Sequence, residues 1–252
     1  MEHLKSASFI LLLFVFWQVA CVVFDVSPIV LPKPSAILST LIVNMPALWP
    51  HILQTLLTTL VGFFFGMVIG VALGAIVGIS RTAYNVAYPL LVGFSSIPKV
   101  AVVPIFVLWF GSGTLPAVLT ALTTCIFPIV VSVATGLATT EPEMEDVLKA
   151  LGASRYQVLR NVSLPRTMPY FFASLKVAVT LAFVGTVLSE TVAANRGIGT
   201  VMMMATASFD VPLAFAGLFA LAILGILLYA VFAVIEKRIC GWATRKQDLA
   251  MN

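Results

Sequence analysis

The chain has 252 residues, of which 61% are hydrophobic and only 10% are charged, and its mean hydropathy is +1.10. These values exclude an ordinary soluble globular domain and predict a polytopic membrane protein. The net charge of +4 could suggest nucleic-acid binding, but the basic residues are scattered between apolar segments, so membrane topology explains them better.

Six segments are long and apolar enough to cross a hydrocarbon core of about 30 Å, which needs roughly 20 helical residues. We predict spans at residues 7–26, 55–79, 84–110, 116–138, 169–192 and 212–235. The first could instead be a cleaved signal peptide, because Val19-Ala20-Cys21 is similar to a lipoprotein cleavage box. Gln18 does not fit that box and argues against cleavage.

Basic residues between the predicted spans indicate the orientation of the chain. With the N-terminus in the cytoplasm, only Lys33 and Arg196 fall outside the cell. The cytoplasmic side then receives Lys5, Arg81, Lys149, Arg155, Arg160, Arg166, Lys237, Arg238, Arg245 and Lys246. The positive-inside rule therefore predicts that both termini are cytoplasmic.

A connector outside the membrane is expected after the first span. Ser35 could cap a short helix through Val43, and the following stretch with Pro46, Trp49 and Pro50 suits the membrane interface. We therefore expect three parts: a first span with its connector over residues 1–50, a transmembrane domain over 51–236, and a cytoplasmic tail over 237–252.

The second span carries a glycine at every fourth position. This spacing predicts a smooth helix face that another backbone can approach closely, either within the subunit or across a dimer. The residues of this stripe are Gly62, Gly66, Gly70, Gly74 and Gly78.

The third span contains Ser95 and Ser96, followed by Pro98, Lys99 and Pro104. Two prolines six residues apart predict a bent helix that faces a neighbour or a cavity rather than lipid. The ammonium of Lys99 either attracts an anion in a water-filled path or serves structure, by snorkelling or by pairing with a backbone carbonyl.

Lys176 and Glu190 lie in the fifth span, ~21 Å apart along a helix and only ~40° apart around it. They share one face but are too far apart to pair. One interpretation places them on a translocation path, and the other places each near the headgroups of one leaflet. The candidate path residues are therefore Ser95, Ser96, Lys99, Lys176 and Glu190.

Residues 139–168 form the one long polar interruption, with four acids and four bases. Thr140-Glu141-Pro142-Glu143 has the form of a capping box, which starts a helix, and Gly152 is expected to end that helix. Ser154-Arg155-Tyr156-Gln157 is a second capping box, and Pro165 is expected to end the second helix. The pattern predicts a cytoplasmic helix-turn-helix, whose zero net charge argues against DNA binding.

No glycine-lysine pair occurs, so the chain has no phosphate-binding loop of the GxxxxGK[ST] type. Only His3 and His51 are histidines, and Cys21, Cys125 and Cys240 lie singly, so no metal site or catalytic site is expected. This chain alone therefore cannot use ATP by that route. One hypothesis for a membrane protein of this kind is an ion-coupled secondary transporter, with Lys99, Lys176 and Glu190 as an ion relay.

The polar segment carries a recognisable pattern: Asp146-Val147-Leu148, three residues, Gly152, nine residues, and Val162-Ser163-Leu164-Pro165. This pattern resembles the EAA loop of ATP-binding-cassette importer permeases. The stretches Leu31-Pro32-Lys33-Pro34, Leu108-Trp109-Phe110-Gly111 and Gly197-Ile198-Gly199 after Glu190 are similar to those of the nitrate, taurine and aliphatic-sulfonate branch.

The resemblance implies an all-α type I permease of six transmembrane helices in a bacterial inner membrane, working as a homodimer. Its partners would be an extracytoplasmic binding protein and two cytoplasmic ATPase subunits, which bind the ATP and magnesium, so that this chain holds no cofactor. The expected solute is a small anion such as a sulfonate, nitrate, taurine or a carboxylate; the alternative is a pyrimidine vitamin precursor or an aromatic acid. The implied ATPase-coupling residues are Asp146, Val147, Leu148, Lys149, Ala150, Leu151, Gly152, Ala153, Ser154, Arg155, Leu164 and Pro165.

Overall fold

The structure, a computed structural model, describes residues 2–78, 80–138, 147, 148 and 150–250. Every regular element in this part of the chain is a helix, as predicted. The helices are α1 (Glu2–Val23), α2 (Pro34–Gly78), α3 (Arg81–Ser95), α4 (Val103–Phe110), α5 (Thr114–Ala138), α6 (Arg155–Val158), α7 (Leu164–Ala193), α8 (Ile198–Ala207) and α9 (Val211–Ala250). A 3-10 turn at Lys99–Val102 precedes α4, and a π turn at Leu159–Ser163 joins α6 to α7.

Four helices in the described ranges are long and apolar enough to cross a membrane, at Pro34–Gly78, Thr114–Ala138, Tyr156–Ala193 and Val211–Trp242. A fifth candidate is the bent pair α3 and α4. The apolar stretch of α1, Ser8–Val23, is shorter than a full span. The count of six spans therefore stays a prediction.

The predicted bend of the third span is confirmed. Thr82–Ser95 and Lys99–Phe110 meet at an angle of 76°. Pro98 sits in extended backbone between them and has no amide hydrogen, so the first helix cannot continue through it.

The short helix expected to end at Val43 and the separate stretch expected around Pro46 and Pro50 are wrong, because residues 34–78 form one continuous helix of 45 residues. Pro46 and Pro50 lie inside this helix, and the boundary expected after residue 50 falls within it. Each proline removes one backbone hydrogen bond, but Ile37, Leu41 and Leu48 are buried against the bundle and stabilise the segment. At 1.5 Å per residue α2 is ~68 Å long, more than twice the thickness of the hydrocarbon core.

The second expected helix end, at Pro165, is also wrong. The four residues of α6 enter a π turn, and α7 then runs through Pro165 and Pro169 to Ala193. The amide of Leu164 donates to the carbonyl of Leu159, five residues back. This wider turn accommodates a residue that lacks an amide hydrogen, so the helix continues where an α-helical turn would break.

The glycine stripe of α2 packs against α5 of the same subunit. All five glycines are buried. A Cβ on Gly62 would lie 2.5 Å from Cβ of Ala121, and a Cβ on Gly78 would lie 2.9 Å from the carbonyl oxygen of Ala134. Because no larger residue fits, the two backbones approach closely along most of α5. This contact and the packing of α7 on the same helix form the centre of the bundle.

Gly66 allows this contact to be tested, since a Cβ there would overlap the Sγ of buried Cys125. Gly66→Ala should destabilise the protein by about 1–3 kcal/mol, the usual cost of overpacking a core. Cys125→Ala removes the overlapping atom and should recover much of this loss in the double variant. The measurement is the thermal unfolding midpoint of the purified protein in detergent.

Gly93→Ala is the matched control, because nothing lies within 4 Å of a Cβ at that position. An unchanged unfolding midpoint in Gly66→Ala, or an equal loss in both variants, would contradict the packing described here.

Candidate functional site

Gly152 forms the joint of the polar segment, as predicted. Its φ of 83° lies in the left-handed region, which glycine adopts without strain. The amide of Ala153 donates to the carbonyl of Leu148 at 2.9 Å, and the amide of Leu151 donates to the carbonyl of Val147 at 3.1 Å. This pattern ends a helix in the manner of a Schellman motif.

The second capping box is confirmed by two reciprocal hydrogen bonds. The amide of Ser154 donates to Oε1 of Gln157 at 2.7 Å, and the amide of Gln157 donates to Oγ of Ser154 at 3.3 Å. The next turns are anchored by Val158 and Val162, which are buried at 4% and 8% exposure. The chain around Gly152 is therefore tied firmly to the start of the long α6–α7 helix.

Large apolar side chains are presented at this joint. Val147 is 62% exposed and Leu151 is 78% exposed, on either side of the last helical turn before Gly152. We call residues 147–157 the coupling turn. Asp146, Lys149 and the first capping box lie outside the described residues, so the expectations for them stay predictions.

Lys99 lies at the bend between α3 and α4. Its Nζ donates to the carbonyl oxygens of Phe94, Ser95 and Ile97 at 2.9, 3.2 and 2.9 Å, and lies 4.9 Å from the ring centroid of Phe127. Phe94 and Ser95 are the last residues of α3 and Ile97 follows it, so the ammonium caps the C-terminus of this helix. This geometry corresponds to the structural interpretation of Lys99.

Lys176 forms an ion pair with Glu236, which joins α7 to α9. Ser95 and Ser96 donate from Oγ to the carbonyl of Val92 at 2.7 and 3.1 Å, so both hydroxyls bond within their own helix end. The five candidate path residues therefore occupy three separate environments: the end of α3, the contact of α7 with α9, and the buried centre around Glu190.

Glu190 is buried, with 2% of its surface exposed. Its Oε2 accepts from the hydroxyl of Thr55 at 2.9 Å and from the amide of Gly199 at 3.1 Å. Oε1 has no hydrogen-bond partner among the described residues. The carboxyl group packs so closely on Gly197 that no Cβ fits there.

Three residues of this buried centre were not singled out from the sequence: His51, Thr55 and Thr59 of α2. Nδ1 of His51 accepts from the amide of Gly197 at 3.1 Å, and the hydroxyl of Thr55 accepts from the amide of Ile198 at 2.9 Å. The hydroxyl of Thr59 bonds to the carbonyl of Thr55 at 2.7 Å and lies 3.1 Å from that of Thr186. The sequence did contain a pattern that could have indicated the two threonines, because Thr55 and Thr59 continue the helix face of the glycine stripe.

Comparison with known proteins places these features in a family. Residues 66–240 match the family described as the binding-protein-dependent transport system inner membrane component. The chain is 31% identical over 246 residues to the formylaminopyrimidine transport permease protein ThiX of Halalkalibacterium halodurans, covering 97% of this chain and 98% of that protein. It is 27% identical to the taurine transport system permease protein TauC of Escherichia coli, and the match covers 95% of this chain and 89% of that protein.

Among solved structures, the fold is similar to a chain in inward-facing conformations of the MetNI methionine ABC transporter. The TM-score is 0.66 at 22% identity, and the match covers 77% of this chain and 97% of that chain. The type I permease fold implied by the EAA-like pattern is therefore confirmed. This chain belongs to the binding-protein-dependent transport system inner membrane components, the non-catalytic membrane permeases of ATP-binding-cassette importers.

Proposed function

We propose that two copies of this permease form the translocation path of an importer, with both termini in the cytoplasm and an extracytoplasmic binding protein delivering the solute. Two ATPase subunits dock on the coupling turns. Family membership favours this ATP-driven mechanism over the ion-coupled alternative. The ten-to-two distribution of basic residues supports the orientation, because it places the coupling turn on the cytoplasmic side.

The observation that carries the docking proposal is the shape of the coupling turn. Val147 and Leu151 present apolar surface that a soluble partner can cover, beside a left-handed glycine that fixes their direction. Leu148, Ala150 and the rest of the EAA-like pattern through Arg155 complete the proposed contact, with Leu164 and Pro165 supporting it from the start of α7.

Movement would follow from the rigidity of the attached helix. Val158 and Val162 hold α6 and the π turn on the bundle, so displacement of the coupling turn moves α7. Closely packed helices shift as bodies between discrete arrangements rather than stretching. ATP-driven closure of the ATPases would therefore rock the spans between inward-facing and outward-facing states.

Gly152→Pro tests this coupling. Proline fixes φ near −65°, whereas the turn requires +83°, so the presentation of Leu151 is lost. Nothing lies within 4 Å of a Cβ at residue 152, which makes the effect one of backbone geometry rather than crowding. We expect normal membrane insertion but loss of uptake and of solute-stimulated ATP hydrolysis, measured on the complete transporter in proteoliposomes.

Gly93→Ala again serves as control and should transport as the wild type does. Wild-type uptake by the Gly152→Pro transporter would refute the docking proposal.

For the solute, we propose a small heterocycle of the pyrimidine vitamin-precursor type. The sequence led us to expect an anion held by Lys99 or Lys176, but both ammonium groups are engaged, the first by three carbonyls and the second by Glu236. The ring of Phe94 is 58% exposed beside the bend and stacks on Phe127 at 6.5 Å, so it offers flat apolar surface to such a solute ring. The similarity to ThiX supports the same class.

A sulfonate such as taurine is the second candidate. The similarity to TauC supports it, and Lys99 is only half-buried at the bend, where it could exchange a carbonyl for an anion. Uptake by the complete transporter of radiolabelled formylaminopyrimidine and of radiolabelled taurine separates the two classes. We expect uptake of the first, and uptake of taurine alone would overturn the heterocycle proposal.

Exchanging the ion pair tests the part assigned to Lys176. The double variant Lys176→Glu with Glu236→Lys keeps opposite charges in contact but moves the cation to α9. If the pair only joins the two helices, uptake should be lost in Lys176→Glu and restored in the double variant. If the ammonium of Lys176 binds an anionic solute, the double variant should stay inactive although it is folded and inserted.

A further inference from the structure

The start of α8 lacks any cap of its own. The residue at its N-cap is Gly197, which has no side chain, yet the first amide groups of a helix need hydrogen-bond acceptors. Amides 197, 198 and 199 all find acceptors on other helices: Nδ1 of His51, Oγ1 of Thr55 and Oε2 of Glu190. The first two belong to α2 and the third to α7.

Thr55 links these contacts to one another. Its oxygen accepts from the amide of Ile198. Its hydroxyl lies 2.9 Å from Oε2 of Glu190 and 3.1 Å from the carbonyl oxygen of His51, and donates to one of these acceptors at a time. One side chain on α2 thus binds both the helix start and the carboxyl group that caps it. Thr55 is fully buried and Ile198 is fully buried, so water does not compete for these bonds.

Gly197 is required by the same arrangement. Its φ is 132°, and a Cβ there would overlap the carboxyl group of Glu190. Gly199 has a similar constraint, because a Cβ would lie 2.8 Å from Cβ of Glu190. The glycines let the carboxyl group reach the amides, and a carboxylate at a helix N-terminus interacts favourably with the helix dipole.

We propose that Glu190 is a positioning residue for transport: with Thr55 and His51 it forms a latch that holds α8 between α2 and α7. The three acceptors come from two helices, so α8 stays in place only while those helices keep their present separation at this level. A conformational change that moves α7 against α2 breaks the latch and releases α8. Glu190 therefore acts through the position of α8, and not as a charge in contact with the solute.

Amide hydrogen exchange in the purified permease–ATPase complex tests the latch without reference to any solute. In Glu190→Leu, the amides at the start of α8 should exchange about tenfold faster, as expected for loss of a helix cap. In Glu190→Gln, the carboxamide oxygen can still accept from Gly199 and Thr55, so protection should be largely restored. Uptake should follow the same order in the complete transporter.

If Glu190 instead acts as a charge on the solute path, the two Glu190 variants should give the opposite pattern. Glutamine would then be as inactive as leucine in uptake, and exchange in α8 would not change in either variant. Either of these results overturns the latch. Because exchange is measured without solute, a wrong assignment of the solute class leaves this outcome unaffected.

Thr55→Val provides a second variant should Glu190→Leu fail to fold. It removes the hydroxyl while keeping the shape of the side chain, and we expect faster exchange at Ile198. Thr120→Val is the matched control, because the hydroxyl of Thr120 is equally buried and, among the residues that the structure describes, bonds only to the carbonyl of Pro116 in its own helix. Equal exchange in the two threonine variants would refute the latch.

Discussion

The close contact between the glycine face of α2 and α5 is the constraint on which the rest of the bundle depends. In a lipid environment apolar side chains gain little from leaving the solvent, so helices associate through close packing and through polar contacts. The stripe from Gly62 to Gly78 supplies the packing, and the threonines that continue the same face supply the polar contacts. One helix face thus stabilises the bundle and positions the buried centre around Glu190.

Sequence patterns predicted the apolar helices, the bend at Pro98, the helix end at Gly152 and the capping box at Ser154 because each depends on local chemistry. Proline misled the prediction at Pro46, Pro50 and Pro165. Its local preference is to end a helix, but burial of Leu48 stabilises α2 as a continuous helix, and a π turn accommodates Pro165. Such compensation comes from tertiary packing, which residue spacing does not report.

The charged residues of the spans likewise show that residue spacing does not report tertiary contacts. The sequence identified Lys99, Lys176 and Glu190 as unusual but could not name their partners. Those partners are backbone carbonyls at the end of α3, a side chain on α9, and the first amides of α8. All three charges are tied into the helix framework. The structural role of His51 was not predicted, because a single histidine outside the apolar runs carries no pattern. Its ring nitrogen accepts from a backbone amide 146 residues away.

The continuity of α6 and α7 has a mechanical consequence. From Arg155 to Glu190 the chain is one rod of 35 residue steps, ~52 Å long, interrupted only by the π turn. The surface proposed for the ATPases thus lies next to one end of this continuous helix, and the carboxyl group that caps α8 lies near its other end. Because a helix resists compression and bending, a push at one end needs no chain of intermediate residues to be felt at the other. The π turn at Leu159–Ser163, where the backbone hydrogen bonds span five residues, is the place where this helix can bend.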